Sequence, residues 1–216
     1  MKIYTRTGDD GTTGLLFGGR VPKDSDVITA NGAVDEAQAA LGVVRAEVER
    51  GSELDGLLIG LERDLYVLMA EVATAPANRR KLVAGVSLVT EEMVSALEER
   101  IDELSGRFPP IKDFVIPGHD RVSAALDVAR TATRRAERAA LRVFPPGPIE
   151  GSEGLEAPPE SQSGEPAGRS AGGEGDQVDR TQVVRYLNRL SDLLWTMARW
   201  QESGDSLLSR KAVPVR

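Results

Sequence analysis

The 216-residue chain contains no cysteine and one histidine, His119. Without cysteine there is no disulfide, no thiolate zinc ribbon, no cysteine-ligated cluster and no thiol nucleophile. One histidine excludes most histidine-based metal sites. A Ser-His-Asp triad would have to use His119 as its base. No apolar run reaches the roughly 18–20 residues that a membrane-spanning helix needs. The first residues, MKIYTRTGDDG, lack the apolar core of a signal peptide. These absences predict a soluble, cytoplasmic protein with no membrane partner.

Charge of one sign is also scarce once its position is considered. The formal net charge is −7, from 27 Lys+Arg against 34 Asp+Glu. Between Gly147 and Arg180 lie eight acidic and two basic residues, so that segment contributes −6 and the rest of the chain only −1. Gly, Pro, Ser and Glu dominate the segment, and large apolar side chains are nearly absent from it. Such a composition cannot bury enough surface to offset its ordering entropy. We expect a single domain over 1–216 with a disordered acidic insertion at 147–180. Neither part carries the overall basic excess of a nucleic-acid binder.

What is present is helical periodicity. Val34, Ala37, Leu41, Val44 and Val48 step by three and four, which places them on one helix face. Leu54, Leu58, Leu61, Leu65, Leu68 and Val72 repeat the pattern, with Pro76 soon after. Val94, Leu97, Ile101 and Leu104 form a shorter stripe, begun by Thr90 and followed by Gly106. Ala125, Ala129, Ala132, Ala136, Ala139 and Val143 form an alanine seam ended by Pro145 and Pro146. Val183, Leu187, Leu190, Leu194 and Met197 form the last stripe. Residues 1–30 read as a loop region, and 112–118 as a short extended piece. The expected fold is all-α, an antiparallel helix bundle.

Four segments could carry chemistry. TRTGDDGTTG (5–14), followed by Gly18, Gly19, Arg20 and Lys23, offers turning glycines, hydroxyl donors and cations, which suits a polyphosphate. It is no Walker A loop, since GxxxxGK[ST] is absent, and it reads equally as a turn. Five arginines between 130 and 142 face one acid, Glu137. Arg130 and Arg134 lie beside the alanine seam, so they should be partly desolvated and need an acid or a phosphate. Asp35 is a candidate acid, and the plain alternative is a solvated charged face. Asn188, Ser191, Asp192 and Trp195 form a polar strip that could line a cleft or an interhelical hydrogen-bond network. FVIPGH (114–119) could be a pocket wall or a loop with one buried Phe.

Taken in order, YTRTGDDGTTGL with GGRVPKDS, GAVDEAQAALG, FVIPG, ARTATRRAERA and YLNRLSDLLWTMAR resemble the PduO-type ATP:cob(I)alamin adenosyltransferases. The resemblance covers nearly the whole chain except 147–180. It implies a five-helix antiparallel bundle assembled as a homotrimer, with sites between adjacent subunits. It implies transfer of the 5′-deoxyadenosyl group of ATP to the cobalt of cob(I)alamin, with release of triphosphate. Thr5, Arg6, Thr7, Gly8, Asp9, Gly11, Thr12, Thr13 and Lys23 match the ATP-binding segment. Arg134, Glu137 and Asn188 match residues that contact ATP or its metal, with Glu137 the Mg²⁺ candidate; K⁺ is a second implied ion. Arg130 and Asp35 match an interface salt bridge beside the site. Phe114 matches the aromatic that displaces the lower axial ligand of cobalamin. Trp195 and His119 fall on the corrin side. Implied partners are a flavin-type reductase and an adenosylcobalamin-dependent enzyme.

The chain departs from the family pattern at several positions, among them Ala37 and Gln38, which stand where the family has Leu and Asn. Arg6 replaces a lysine and keeps its charge. Asp10 replaces a lysine and removes a positive charge beside the triphosphate. His119 replaces a glycine. Asp10 and His119 motivate an alternative, an adenosylcobalamin escort or sensor with the same fold and little turnover.

Overall fold

The structure is a computed structural model that describes residues 4–145, 181–203 and 207–208. The insertion expected at 147–180 lies outside them. Two short strands, β1 (Thr12–Gly14) and β2 (Arg20–Pro22), precede five helices. These are α1 (Asp26–Glu47), α2 (Glu53–Val72), α3 (Glu91–Ser105), α4 (Arg121–Val143) and α5 (Val183–Gln201), with a 3₁₀ turn at Pro76–Lys81. None of the described helices is long and apolar enough to cross a membrane.

Four of the five stripes are buried as the periodicity predicts. Leu41, Leu58, Leu65, Leu68, Leu104, Leu187, Leu190 and Leu194 are fully buried. Each contributes about 1.5–3 kcal/mol relative to an exposed leucine. α1 packs on α2 and α4, α4 on α5, and α5 on α3. Local signals set the starts. Ser52 and Thr90 accept the N–H of Asp55 and Met93, while Asp120 and Ser123 form a reciprocal capping box at the start of α4.

Two expectations need correction. Residues 1–30 are not all loop. β1 and β2 form a hairpin with Thr13 opposite Val21, and α1 begins at Asp26, before its first buried residue, Ala30. On α4 the buried face is turned only partly from the alanine seam: Ala129, Ala132 and Ala136 are buried as expected and Leu126, Asp127, Thr133 and Ala140 join them, whereas Ala125, Ala139 and Val143 are only partly buried. Polar burial explains this, because Thr133 donates to the Ala129 carbonyl (2.9 Å) and Asp127 is ion-paired.

Candidate ATP and corrinoid site

The loop between Thr5 and Thr13 is closed by one side chain. Arg20 donates Nε (3.0 Å) and Nη2 (2.6 Å) to the Thr12 hydroxyl, and Nη2 to the Thr7 carbonyl (2.5 Å). Asp10 Oδ1 accepts the Thr12 N–H (2.9 Å) and hydroxyl (2.8 Å) and lies 3.5 Å from Arg20. The Thr12 N–H, then its hydroxyl, hold the Asp10 carboxyl below the usual carboxylate range. Asp10 is therefore engaged by the loop and does not stand there as a lone anion.

Lys23 lies over the same loop. Its N–H bonds the Gly11 carbonyl (2.9 Å), and a Cβ added at Gly8 would sit 3.0 Å from its Nζ. Glycine at position 8 permits that approach. Gly11 has φ +82° and Arg6 φ +62°, both left-handed. Thr5 and Thr7 share a hydroxyl hydrogen bond of 2.7 Å. Asp9 is exposed, and Thr13 is paired in the hairpin.

The arginines of α4 divide sharply. Arg130 donates Nε to Asp127 (3.2 Å), Arg135 pairs with Glu36, and Arg142 lies 3.8 Å from Asp26. Arg134 and Arg138 are exposed, and neither has an acid among the described residues. The expected desolvation thus holds for Arg130 and fails for Arg134, because position 134 falls on the side of α4 away from the buried Ala129, Ala132 and Ala136. The acid on Arg130 within the chain is Asp127, not Asp35, which is exposed and has no ion pair among the described residues.

Beside Arg134, Asn188 on α5 donates Nδ2 to Glu137 Oε1 on α4 (3.0 Å). Arg189 donates to Asn188 Oδ1 (2.6 Å), which fixes the amide's orientation. The polar strip on α5 splits here. Asn188 faces α4, whereas Asp192 and Trp195 line a cleft of about 590 Å³ against Glu98, Ile101 and Asp102 of α3.

Phe114 is 84% exposed, so the expected buried Phe is overturned. Its neighbour Ile116 is tied to the chain beyond α5, donating its N–H to the Leu207 carbonyl (2.8 Å). A fixed backbone thus presents an unpacked ring. His119 is also exposed. It precedes the Asp120 cap, which explains why a polar turn stands there.

Sequence reading missed Arg199 and Glu202. Arg199, 1% exposed, donates Nη2 to Asp127 Oδ2 (2.7 Å) and to Glu202 Oε1 (2.9 Å). Its guanidinium lies 5.7 Å from the Trp195 ring centre. Asp127, three residues before Arg130 on one helix, signalled that pair alone, and nothing local signalled the pairing of Arg199 with Asp127. No hydrogen bond or ion pair among the described residues joins the 5–13 loop to Arg134, Glu137 or Asn188. Among the described residues the candidate site thus lies in two halves that share no hydrogen bond or ion pair.

The comparisons with known proteins span both halves. The cobalamin adenosyltransferase family profile matches residues 3–153. A corrinoid adenosyltransferase of Citrobacter freundii is 38% identical over 94% of this chain and 96% of its own length. One of Bacillus subtilis is 31% identical over 100% of this chain and 96% of its own. Among solved structures, a variant PduO-type ATP:corrinoid adenosyltransferase from Lactobacillus reuteri, complexed with cobalamin and ATP, matches with TM-score 0.73. It is 26% identical and covers 97% of this chain and all of its own. The loop, the arginine helix and the α5 strip lie within these matches, and the chain belongs to the cobalamin adenosyltransferase family.

Proposed function

We propose that this chain transfers the 5′-deoxyadenosyl group of ATP to the cobalt of cob(I)alamin, forming adenosylcobalamin and triphosphate. The observation that carries the reading is the α4 surface: Arg134 and Arg138 lack acids among the described residues, beside the bonded Glu137–Asn188 pair. Uncompensated guanidinium charge there suits a polyphosphate.

Co(I) attacks C5′ with its electron pair. The C5′–O5′ bond breaks, and the electrons leave on the triphosphate. No proton need be abstracted, which agrees with a chain holding one exposed histidine and no cysteine. The protein's work is positioning and leaving-group stabilisation. Arg134 and Lys23 neutralise charge growing on the triphosphate, and the Thr5–Thr13 loop supplies N–H and hydroxyl donors. Phe114, exposed on a fixed backbone, occupies the lower face of the corrin and excludes the axial ligand there. Trp195 forms a second corrin wall, with His119 at its edge.

The homotrimer of antiparallel five-helix bundles rests on the resemblance, and two halves that share no hydrogen bond or ion pair among the described residues fit a site completed by a second subunit. The loop of one subunit would meet α4 and α5 of the next, with Asp35 reaching the neighbouring Arg130. Glu137 fits a Mg²⁺ that arrives with ATP. Asn188 holds one of its oxygens, and Mg²⁺ takes most of its remaining ligands from phosphates and water. No cluster of three or more acidic or histidine ligands occurs among the described residues. K⁺ rests on the resemblance alone. On this reading a flavin-type reductase supplies cob(I)alamin, an adenosylcobalamin-dependent enzyme receives the product, and the reaction is cytoplasmic.

Anaerobic incubation with ATP, Mg²⁺ and reduced cobalamin tests the reading through loss of the Co(I) absorbance. ATP binding without adenosylcobalamin formation would favour the escort alternative. The engagement of Asp10 by Thr12 and Arg20 weakens the motive for that alternative.

A further inference from the structure

We propose that Asp127 is a positioning residue for adenosyl transfer, presenting Arg130 to the site while itself anchored by the buried Arg199. This role rests on the function proposed above. Asp127 is buried with both carboxylate oxygens engaged: Oδ1 accepts Arg130 Nε at 3.2 Å, and Oδ2 accepts Arg199 Nη2 at 2.7 Å.

Arg130 is held by one edge only. Its two terminal nitrogens have no hydrogen bond among the described residues, and its side chain is 27% exposed. Pinning Nε fixes the plane of a guanidinium, so the terminal fork is turned to one direction before any ligand arrives. A lysine could keep the charge but not that plane.

The anchor cannot easily move. Arg199 is also bonded to Glu202 at 2.9 Å and lies near the Trp195 ring, so its guanidinium is held by two acids and faces an aromatic. Its Nε is buried without a partner, which makes loss of Asp127 costlier still. The network therefore joins the Arg130 guanidinium on α4 to the aromatic proposed as a corrin wall on α5.

A double-mutant cycle on the full chain tests this: Asp127→Asn, Arg130→Lys and the pair. Each is assayed for kcat and KM(ATP) with pre-reduced cobalamin and for thermal midpoint. If Asp127 acts through Arg130, each single change lowers kcat about tenfold or more, as expected for a misplacement near the reacting centre. KM(ATP) stays near wild type, and the double variant falls no further than the worse single one. Asp127→Asn lowers the thermal midpoint on either account, so kcat decides: an effect on kcat that multiplies with that of Arg130→Lys marks a purely structural Asp127 and overturns the proposal. Should Asp127→Asn not fold, Arg130→Lys decides: a large fall in kcat at unchanged thermal midpoint supports the pinned fork, and full kcat overturns it. Wild-type protein that forms no adenosylcobalamin would overturn the function itself, a separable outcome.

Discussion

The N-terminal loop and the α4–α5 surface hold charge in opposite ways. In the loop, Asp10 and Arg20 are 64% and 46% exposed in their side chains, and the shape is kept by short-range hydrogen bonds. Between α4 and α5, Asp127, Arg199 and Glu202 are buried, and their partners are fixed by packing. Exposed ion pairs contribute at most about 1 kcal/mol, whereas breaking a buried one costs about 3–5 kcal/mol. The loop is therefore the adaptable half of the site and the helix pair the preformed half. A substitution in the first should act on substrate affinity, and one in the second on the chemical step.

Arg134→Ala gives the largest expected effect and the most direct way to break that contrast. Arg134 is exposed and has no acid among the described residues, so its removal uncovers no buried charge. The fold and thermal midpoint should hold. kcat should fall about 10²–10³-fold, the usual loss for one electrostatic group acting on a leaving group. Stopped-flow decay of cob(I)alamin measures it. A variant with normal kcat and raised KM(ATP) would make α4 an affinity surface like the loop.

The legible part of this protein is what repeats. Leu54 through Val72 and Val183 through Met197 could be placed because their spacing is set by the helix itself. The loop and the arginine helix were legible as chemistry because charge and glycine concentrate there. What escaped depended on partners far away in sequence. Arg199 meets Asp127 across 72 positions, and nothing local to either residue announces the pairing. Phe114 could not be placed as exposed, because exposure is decided by what the rest of the fold fails to cover. The turn of the α4 face followed from burying Asp127 and Thr133, two residues that a hydrophobic pattern counts as outside.

Arg20→Ala should give a medium effect of the other kind. It removes the guanidinium that ties Thr12 to the Thr7 carbonyl and leaves Asp10 without its cation. KM(ATP) should rise about five- to tenfold, near the 1.4 kcal/mol that a factor of ten represents. kcat should change little. A fall in kcat with unaltered KM(ATP) would mean that the loop is as preformed as the helix pair.

The smallest expected effect sharpens the contrast by using a half-buried acid without an arginine. Asp64 on α2 accepts the Tyr186 hydroxyl at 2.9 Å. Burial pushes the Asp64 carboxyl up, opposed by that hydrogen bond. Burial, then the Asp64 charge, pushes the Tyr186 phenol well up. A carboxyl raised in the folded state binds its proton more tightly there than when unfolded. It therefore imposes no penalty below the unfolded carboxylate range and lowers stability as pH rises through the raised value. Asp64→Asn keeps an acceptor for Tyr186 and removes the charge, so it should raise the thermal midpoint at neutral pH by about 2 °C. The gain should vanish at acid pH, where wild-type Asp64 is protonated in both states. Asp127→Asn should move the midpoint the other way, because there the charge is matched by Arg130 and Arg199. If both variants shifted in the same direction, burial alone would govern these acids, and the arginine pairing on the α4 side would not be what sets it apart.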